Sequence, residues 1–478
     1  MHSDLVVLGG GPGGYAAAFL AADLGMEVAI VEAEPRLGGV CLLRGCIPSK
    51  ALLHVAKVIS EAAHAKEWGV DFAAPGIDVD TMRARKEKVI ATLSGGLSQL
   101  AKKRNVRVVQ ATGAFVDSTT LELSGGDPST RDDDRLTFEH CILAVGSRPT
   151  MPKVFDIGSD RVMDSTGALE LADVPKSLLV VGGGYIGLEM GSVYAQLGSK
   201  VTVVELTEGL LPGVDRDLVK PLHKRLEKLF AGIHLETKVA ALAKQRGTVE
   251  ATLEDAEGTR SERFSRVLVS IGRRPNSQDI GLENTSVELT QQGFVVVDAK
   301  QRTADSHILA IGDIAGEPML AHKAAHEGKV AVEALHGGPA AFDKLAIPAV
   351  VFTDPEIAWA GVTESQAQER GLEFEVARYP WAASGRAQAL GITDGLTKLV
   401  VDPETERVLG AGFVGSGAGE LVAESVLAIE MGATARDLAE SVHPHPTLSE
   451  TLAFAAEAYL GVATEIYRPR RPRQPVAG

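Results

Sequence analysis

The chain has 478 residues, of which 45% are hydrophobic and 23% charged, a composition typical of a globular protein with more than one core. Its formal net charge of −15 excludes the basic surface that nucleic-acid-binding proteins and proteins of anionic membranes need. Three cysteines are too few for the disulfide framework of a secreted protein, so a close cysteine pair indicates catalysis or metal binding.

The N-terminal residues, Met1 to Asp4, lead into an apolar strand pattern without the basic segment of a signal peptide. Glycines and charges interrupt the apolar stretches before the length needed to cross a bilayer. We therefore expect a cytoplasmic protein with no nucleic-acid and no membrane partner. The basic segment Arg468 to Arg473 is predicted to be a solvated tail.

The first predicted elements belong to an internal repeat. Residues 5–32 read LVVLGGGPGGYAAAFLAADLGMEVAIVE, and residues 178–205 read LLVVGGGYIGLEMGSVYAQLGSKVTVVE. Each copy predicts a buried strand, a glycine turn, an amphipathic helix and a second buried strand. The corresponding residues are Gly9, Gly11, Gly14 and Glu32 in the first copy and Gly182, Gly184, Gly187 and Glu205 in the second.

This pattern is the fingerprint of a dinucleotide-binding fold. The first glycine permits the turn, the second lets the backbone approach a pyrophosphate, and the third lets the helix pack on the strand. The helix N-terminus offers N–H groups to phosphates, and the closing glutamate accepts hydrogen bonds from ribose. One such motif is weak evidence, but two in register predict two dinucleotide sites.

Two cysteines, Cys41 and Cys46, lie just after the first repeat in GGVCLLRGCIPSK, residues 38–50. The next residues are predicted to be helical, and two cysteines around a helix start can form a disulfide if the backbone bends suitably. The helix dipole and Lys50, four residues further on, would favour a thiolate at Cys46. A metal site and two buried apolar cysteines are the alternatives, although no further Cys/His cluster has ligand spacing. Cys141 is predicted to lie in the core.

Further elements follow in chain order. Residues 82–106 are predicted to be helical with a Gly-Gly interruption, and residues 107–146 to form short strands around a polar turn at Ser124 to Asp134. A strand that ends in Gly312-Asp313 places a carboxylate where α/β folds bind ligands, although an ordinary turn aspartate is the alternative. From about Lys344 a separate C-terminal domain is predicted.

Near the C-terminus lies HPHPTLSE, residues 443–450. Thr447 and Glu450 match a T-x-x-E capping box for the helix that follows. His443 precedes Pro444, and His445 stands between Pro444 and Pro446. Histidine suits proton exchange with a thiol near neutral pH. The residues alone leave a general base and a structural role equally open.

Taken together, GGGPGG, GGVCLLRGCIPSK, LAVGSRP, GGGYIGLE, GRRPN, AIGD and HPHPTLSE closely resemble the motifs of the pyridine nucleotide–disulfide oxidoreductases, from about residue 4 to 460. The chain is most similar to the dihydrolipoyl dehydrogenase branch, the flavoprotein third component of 2-oxo acid dehydrogenase complexes. The resemblance implies an α/β fold with two Rossmann-like dinucleotide-binding domains and an α+β C-terminal dimerisation domain. The expected limits are 1–150 for the FAD-binding domain, 151–273 for the NAD-binding domain, 274–343 for a central segment that completes the FAD site, and 344–478 for the interface domain with its basic tail.

FAD and NAD are the implied cofactors. The expected FAD contacts are Gly9, Gly11, Gly14, Glu32, Gly146, Ser147, Asp313 and Ala321. The expected NAD contacts are Gly182, Gly184, Tyr185, Gly187, Glu205 and Gly272. A carboxylate at Glu205 accepts from the ribose 2′-OH and repels a 2′-phosphate, which predicts NAD rather than NADP.

The resemblance also implies which residues react. Cys41 and Cys46 form the redox disulfide, with Cys46 against the flavin and Cys41 exchanging with substrate. Lys50 approaches the flavin and pairs with Glu189, whose charge on an apolar helix face requires a partner.

His445, oriented by Glu450, is the implied acid/base and comes from the other subunit of a homodimer. The implied reaction oxidises dihydrolipoamide, carried by an acyltransferase component, to lipoamide and reduces NAD⁺. A related NAD(P)H-dependent reductase of another small disulfide and a non-catalytic dinucleotide-binding scaffold are the alternatives.

The chain departs from the family pattern without losing a reacting group. Val40 and Leu43 stand where Thr and Asn are usual, Val145 lies in the segment usually written ATGS, and Pro444 replaces a commonly small residue. The first two changes affect hydrogen bonds expected near the disulfide.

Overall fold

The computed structural model describes residues 1–467, which form two compact units. The first unit comprises Met1–Val174 and Leu268–Asp343, and the second comprises Pro175–Val267 and the residues from Lys344 onwards. The expected tail, Arg468 to Arg473, lies outside the described residues. The domain limits expected at residues 150, 273 and 343 stay predictions.

Helices and strands alternate along most of the chain. Up to residue 174 they are β1 His2–Leu8, α1 Pro12–Asp23, β2 Val28–Glu32, α2 Gly39–Arg44, α3 Cys46–His64, α4 Val79–Lys103, β3 Arg107–Gln110, β4 Thr112–Asp117, β5 Thr120–Ser124, β6 Arg135–Leu143, β7 Ser147–Pro149, β8 Val162–Met163 and α5 Ser165–Glu170. The next segment contains β9 Ser177–Val181, α6 Tyr185–Gln196, β10 Lys200–Val204, α7 Arg216–Leu229, β11 Gly232–His234, β12 Lys238–Gln245, β13 Thr248–Asp255, β14 Gly258–Phe264 and β15 Arg266–Val269. It is followed by β16 Arg273–Pro275, β17 Ile308–Ala310 and α8 Ala321–Leu335. The C-terminal segment contains β18 Ala349–Val351, β19 Glu356–Gly361, α9 Glu364–Glu369, β20 Glu375–Pro380, α10 Gly385–Leu390, β21 Leu396–Val401, β22 Val408–Gly415, α11 Ala418–Glu430, α12 Ala435–Glu440 and α13 Glu450–Leu460.

A seven-stranded sheet forms the core of the first unit, in the order β3-β2-β1-β6-β5-β4 with β17 also paired to β6. Strands β3, β2, β1, β6 and β17 are parallel, whereas β4 and β5 pair antiparallel. Because both faces of a parallel sheet are covered, β1 and β2 consist almost entirely of buried residues. Their register places Leu8 opposite Val31, so Gly9 and Glu32 follow at the same edge of the sheet.

The second unit repeats this arrangement and adds two antiparallel sheets. Strands β11, β10 and β9 are parallel, with β15 beside β9. The three strands β12, β13 and β14 form one antiparallel sheet. The C-terminal sheet has the antiparallel order β18-β19-β22-β21-β20, and α11 and α13 pack against it over a buried apolar core. The expected strand–helix–strand repeat, the α/β class and a C-terminal domain of strands and helices are confirmed.

Helix α4 is continuous where the sequence predicts an interruption. It passes through Gly95 and Gly96, around both of which an added Cβ would meet open space. Two glycines cost a helix about 2 kcal/mol relative to alanine. Packing offsets this cost, because Ser94 is buried and donates to the Leu37 carbonyl at 2.8 Å, and Ile90, one turn earlier, is also buried.

The helices between Gly39 and Trp68 form a 30-residue stretch that is long and apolar enough, by length and composition, to cross a membrane. The sequence was not expected to contain such a stretch. Gly45 interrupts it with φ −142° and ψ −114°, and 33% of its most apolar window is buried within the protein. A single helix of this kind is weak evidence for a membrane span, because core helices of water-soluble proteins can have the same length and composition.

A buried ion cluster ties α7 to the C-terminal sheet. The Nζ atom of Lys398, a residue 1% exposed, lies 2.6 Å from Asp215, 2.7 Å from Asp217 and 2.7 Å from Glu364. Arg378 also pairs with Asp217 and Glu364, at 2.6 and 2.5 Å. Burial raises the pKa of Asp217, but its hydrogen bonds to Lys398 and Arg378 outweigh burial and hold the pKa below 3.8.

We expect Lys398→Met to lower the free energy of unfolding by about 3–5 kcal/mol, because three carboxylates lose their shared buried cation. Denaturant unfolding of the protein at neutral pH measures this change. Lys238→Met is the matched control, because Lys238 pairs with Glu254 at the surface across 3.9 Å. Equal losses of unfolding free energy in the two variants would contradict the role of the cluster.

The same cluster makes stability depend on pH. A carboxyl group whose pKa is lower in the folded state than in the unfolded state stabilises the fold at pH values above its unfolded pKa. The contribution of Asp217 to stability is therefore lost as the pH falls below 3.8.

Candidate functional site

The first glycine turn lies where β1 meets α1. Gly9 has φ +111°, and a Cβ there would lie 2.4 Å from the Ala144 carbonyl oxygen. A Cβ on Gly14 would lie 1.9 Å from the Gly9 oxygen, so the third glycine is required for helix and turn to touch. Gly11 is the N-cap of the 12-residue helix α1 and gives it no side-chain cap, so the first N–H groups of α1 have no side-chain acceptor.

The glutamate at the end of β2 binds the backbone of this turn. Glu32 is 9% exposed, and its Oε2 accepts from the Gly10 N–H at 2.7 Å while its Oε1 accepts from the Glu34 N–H at 2.9 Å. Burial raises the pKa of Glu32, and these two N–H groups oppose the rise. The carboxylate is therefore fixed at the carboxyl edge of the sheet, as the sequence predicts.

The second turn reproduces this geometry within the second unit. Gly182 has φ +105°, and Gly184 is the uncapped N-cap of α6. Glu205 accepts from the Gly183 N–H at 2.6 Å and from the Thr207 N–H at 2.8 Å. The Thr207 hydroxyl also donates to Glu205, at 2.8 Å, a contact that the motif did not indicate.

Both turns fit a dinucleotide. An added Cβ on Gly184 would meet nothing within 4 Å, and one on Gly11 would meet only the Gly39 Cα at 3.8 Å. The N-cap glycine of each helix therefore leaves room for a pyrophosphate beside the helix N-terminus, with a fixed carboxylate nearby for ribose hydroxyls.

The cysteine segment packs against the first turn. The Gly38 N–H donates to the Gly10 carbonyl at 2.9 Å, and a Cβ on Gly39 would lie 2.6 Å from the Gly11 Cα. Gly39 has φ +57°, so glycine serves both the backbone conformation and the close approach. Helix α2, which carries Cys41, consequently begins directly beside the first predicted pyrophosphate position.

Neither Cys41 nor Cys46 is in a disulfide, and Cys41 is half-buried while Cys46 is exposed. The hydrogen bond with Cys46, followed by burial, raises the pKa of Cys41 far above that of a free thiol, and the charge of Lys50 opposes the rise. The protonated form of Cys41 is therefore favoured in the reduced pair, while Cys46 is the first residue of the 19-residue helix α3. Tyr15, which the sequence did not single out, has its pKa raised by burial and by Cys41.

A polar network joins the segments LAVGSRP and GRRPN, as β7 pairs with β16. The Ser147 hydroxyl donates to Asp313 at 2.5 Å and accepts from Arg273 Nε at 2.8 Å. Gly146, beside Ser147, has φ +69° and open space where a Cβ would be. Gly146, Ser147 and Asp313 were all predicted from the sequence as FAD contacts, whereas Arg273 was not predicted. The arginines of the GRRPN motif could have indicated it.

Gly272 precedes this strand, and its carbonyl accepts from the Thr150 N–H at 3.0 Å in the first unit. Its expected contact with NAD stays a prediction.

A second missed residue, Glu327 on α8, stabilises the turn before Asp313. Its carboxylate accepts from the Gly312 N–H at 2.7 Å and pairs with Lys323 at 2.6 Å, with both side chains buried. Burial raises the pKa of Glu327, and Lys323 opposes the rise. Ala321 is the first residue of α8, near this turn in the chain.

His445 and Glu450 form a pair in the second unit. His445 Nδ1 lies 3.0 Å from Glu450 Oε2, and the imidazole is 74% exposed while the Glu450 side chain is 4% exposed. The predicted capping box is wrong, because α13 begins at Glu450 after Ser449 and Thr447 donates to the Pro444 carbonyl instead. The His445 ring engages Glu450 in place of the cap.

Glu189 and Tyr185 lie on α6. Glu189 is buried, and its Oε1 accepts from the Phe352 N–H at 3.0 Å, while Tyr185 begins the helix and is 42% exposed. Gly187 is buried in the same helix, as its packing role requires. The expected pairing of Glu189 with Lys50 stays a prediction, as do the catalytic and cofactor-binding roles of all these residues.

Comparison with known families accounts for most of the chain. Residues 3–328 match the model of the pyridine nucleotide-disulphide oxidoreductases, and residues 347–456 match the dimerisation domain of the same family.

Individual relatives are similar over nearly their whole length. A dihydrolipoyl dehydrogenase from Haemophilus influenzae is 49% identical over 98% of this chain and 97% of its own. One from Geobacillus stearothermophilus is 44% identical over 98% of both chains. Among solved structures, LpdA from Mycobacterium tuberculosis has a TM-score of 0.87 and 26% identity, covering 95% of this chain and 99% of its own. The HOCl-induced flavoprotein disulfide reductase RclA from Escherichia coli has a TM-score of 0.83 and 28% identity, covering 94% and 98%.

Proposed function

The chain belongs to the pyridine nucleotide-disulphide oxidoreductase family, and from this premise we propose that it oxidises dihydrolipoamide to lipoamide and reduces NAD⁺ to NADH with FAD. The observation that carries the proposal is the placement of the Cys41–Cys46 pair directly beside the first dinucleotide turn, through the contact of Gly39 with Gly11. A non-catalytic scaffold would not need two interacting thiols at this position.

The first turn with Glu32, and the network of Gly146, Ser147 and Asp313, would hold FAD. When bound there, FAD accepts an electron pair from a dithiol and passes it on as a hydride. The second turn with Glu205 would hold NAD. Both oxygens of Glu205 already accept from backbone N–H groups, so the carboxylate is oriented and would repel a 2′-phosphate.

Thiol–disulfide exchange is the step that the cysteines perform. One thiolate of dihydrolipoamide attacks Sγ of Cys41 in the oxidised pair, and Cys46 leaves as a thiolate. The second substrate thiol then attacks the mixed disulfide, which releases lipoamide and leaves Cys41 reduced. Two electrons have entered the pair, and the high pKa of Cys41 favours its protonated form in the product.

His445 accepts the proton that the substrate thiol gives up. Its Nδ1 is held by Glu450, so Nε2 is the nitrogen left for proton exchange, and the ring is exposed to a partner surface or solvent. The family's dimerisation domain supports a homodimer in which each subunit supplies His445 to the other. An acyltransferase component as lipoyl carrier and a cytoplasmic location, without a membrane partner, complete the proposal.

The test is an anaerobic titration of the FAD-loaded protein with dihydrolipoamide, followed by NAD⁺. We expect dihydrolipoamide to generate two additional titratable thiols per chain and to change the flavin spectrum, and NAD⁺ then to yield NADH. NADP⁺ in place of NAD⁺ is expected to yield little reduced nucleotide, because of Glu205. If dihydrolipoamide does not react and NADPH reduces the flavin, the substrate is instead another small disulfide.

A further inference from the structure

A chain of three buried side chains runs from the C-terminal sheet to the loop that carries His445. Trp381 Nε1 lies 2.9 Å from Thr397 Oγ1, which lies 2.8 Å from Thr451 Oγ1. Thr451 Oγ1 in turn lies 2.6 Å from the carbonyl oxygen of Leu448. Trp381, Thr397 and Thr451 are all 0% exposed, so water does not compete for these hydrogen bonds.

The two ends of the chain fix its direction. An indole N–H can only donate and a carbonyl oxygen can only accept, and each hydroxyl has one proton. Trp381 therefore donates to Thr397, Thr397 donates to Thr451, and Thr451 donates to Leu448. Each of the three protons has one acceptor, and removing either hydroxyl leaves a buried polar group without its partner.

The tryptophan end is rigid. Added Cβ atoms on Gly395 and Gly415 would lie 2.3 and 2.1 Å from atoms of the Trp381 ring, so the indole is enclosed by backbone on these sides. The backbone N–H of Trp381 also donates to the Gly395 carbonyl at 2.9 Å. The chain of hydrogen bonds thus begins at a side chain that has no room to move.

The other end reaches the loop between His445 and Glu450. Glu450 Oε2 contacts His445, whereas Glu450 Oε1 is buried and has no hydrogen-bond partner among the described residues. The side chain of Glu450 is therefore weakly anchored by its own contacts. Its position depends on the first turn of α13, where the backbone N–H and the hydroxyl of Thr451 both donate to Leu448.

We propose that Thr451 is a positioning residue for the His445–Glu450 pair, acting through the Leu448 carbonyl and held in place by Thr397 and Trp381. The inference rests on the proposed role of His445 as the proton acceptor of dihydrolipoamide. Thr451 touches neither substrate nor cofactor in this role. It fixes the backbone that aims the imidazole, and a small displacement of an acid/base group is costly.

The experiment compares Thr451→Val, which keeps the side-chain volume without the hydroxyl, with Thr451→Ser, which keeps the hydroxyl. In the FAD-loaded holoenzyme we expect Thr451→Val to lower kcat for dihydrolipoamide oxidation about tenfold, with KM for NAD⁺ unchanged. Thr451→Ser is expected to restore most of this loss. Reduction of a quinone by NADH, which needs no proton exchange with a thiol, is expected to be unchanged in both.

Two further variants separate positioning from general destabilisation. Thr397→Val interrupts the chain one step earlier, so it should reproduce the selective loss and add little to Thr451→Val in the double variant. Thr363→Val is the matched control, because Thr363 is a buried threonine of the same unit whose hydroxyl caps α9. It is expected to leave both activities unchanged.

Several outcomes would overturn the inference. Equal losses in both activities, or no rescue by Thr451→Ser, would make Thr451 a structural residue only. His445→Gln serves as the reference for the proposed function. Loss of dihydrolipoamide turnover in His445→Gln with normal turnover in Thr451→Val would refute only the positioning role of Thr451. Normal turnover in His445→Gln would refute the proposed role of His445, and with it the inference.

Discussion

Cys46→Ser is expected to bind FAD with normal stoichiometry and to lose dihydrolipoamide oxidation by on the order of 10⁴-fold or more, because a serine hydroxyl cannot form the redox disulfide. FAD binding should persist because the expected FAD residues lie on other elements, at the first glycine turn and around Asp313. The measurements are the flavin-to-protein ratio and steady-state NADH formation. Thiol titration after addition of dihydrolipoamide should show no new thiols in this variant.

Cys141→Ala is the matched control for Cys46→Ser. Cys141 is 0% exposed on β6, and burial raises its pKa, so it is neither accessible nor reactive. Turnover should be retained in Cys141→Ala. Substantial dihydrolipoamide turnover by Cys46→Ser would show that the cysteine pair takes no part in the reaction, and only the two dinucleotide sites would remain of the proposed machinery.

His445→Gln has the second-largest expected effect, a fall in dihydrolipoamide oxidation of about 10²–10⁴-fold, because the substrate thiol loses its proton acceptor. Glutamine can still donate to Glu450, so the loop is expected to keep its conformation. Reduction of a quinone by NADH should remain normal, since it does not involve a substrate thiol. The ratio of the two activities is therefore the quantity to measure.

The neighbouring histidine provides a close control. His443 contacts the Ser441 carbonyl through Nδ1 and Glu424 through Nε2, both at 2.9 Å, so neither ring nitrogen is left for proton exchange. Its side chain is 9% exposed, in contrast to 74% for His445. His443→Gln should lower stability and spare catalysis. A larger catalytic loss in His443→Gln than in His445→Gln would reverse the assignment of the two histidines.

The sequence was sufficient for features that depend on residues close together in the chain. Glycine spacing and the closing glutamates predicted both dinucleotide turns, since each turn is built within a single strand–helix–strand segment. The helical relation of Cys46 to Lys50 was likewise predictable, because both lie on α3.

Features that depend on distant segments were missed or mistaken. Lys398 on β21 meets Asp215, the N-cap of α7, only because α7 packs on the C-terminal sheet, and nothing local marks that lysine as buried. The capping box failed because Glu450 had a better partner in His445, a competition that the T-x-x-E pattern does not contain. Arg273 was missed for the same reason as Lys398, since its partner Ser147 lies far away in the sequence.

The two glycine turns differ in one respect that bears on how long each nucleotide stays bound. Each turn accepts one backbone hydrogen bond from a later segment, from Gly38 to Gly10 in the first and from Leu211 to Gly183 in the second. Only the first turn also has a backbone beside its N-cap glycine, because Gly39 approaches Gly11, whereas an added Cβ on Gly184 would meet no atom within 4 Å. We expect a nucleotide at the first turn to lie against the cysteine segment and therefore to dissociate more slowly than one at the second turn. Slow release at one turn and rapid exchange at the other are the properties that separate a prosthetic group from a co-substrate, although both are bound by the same fold.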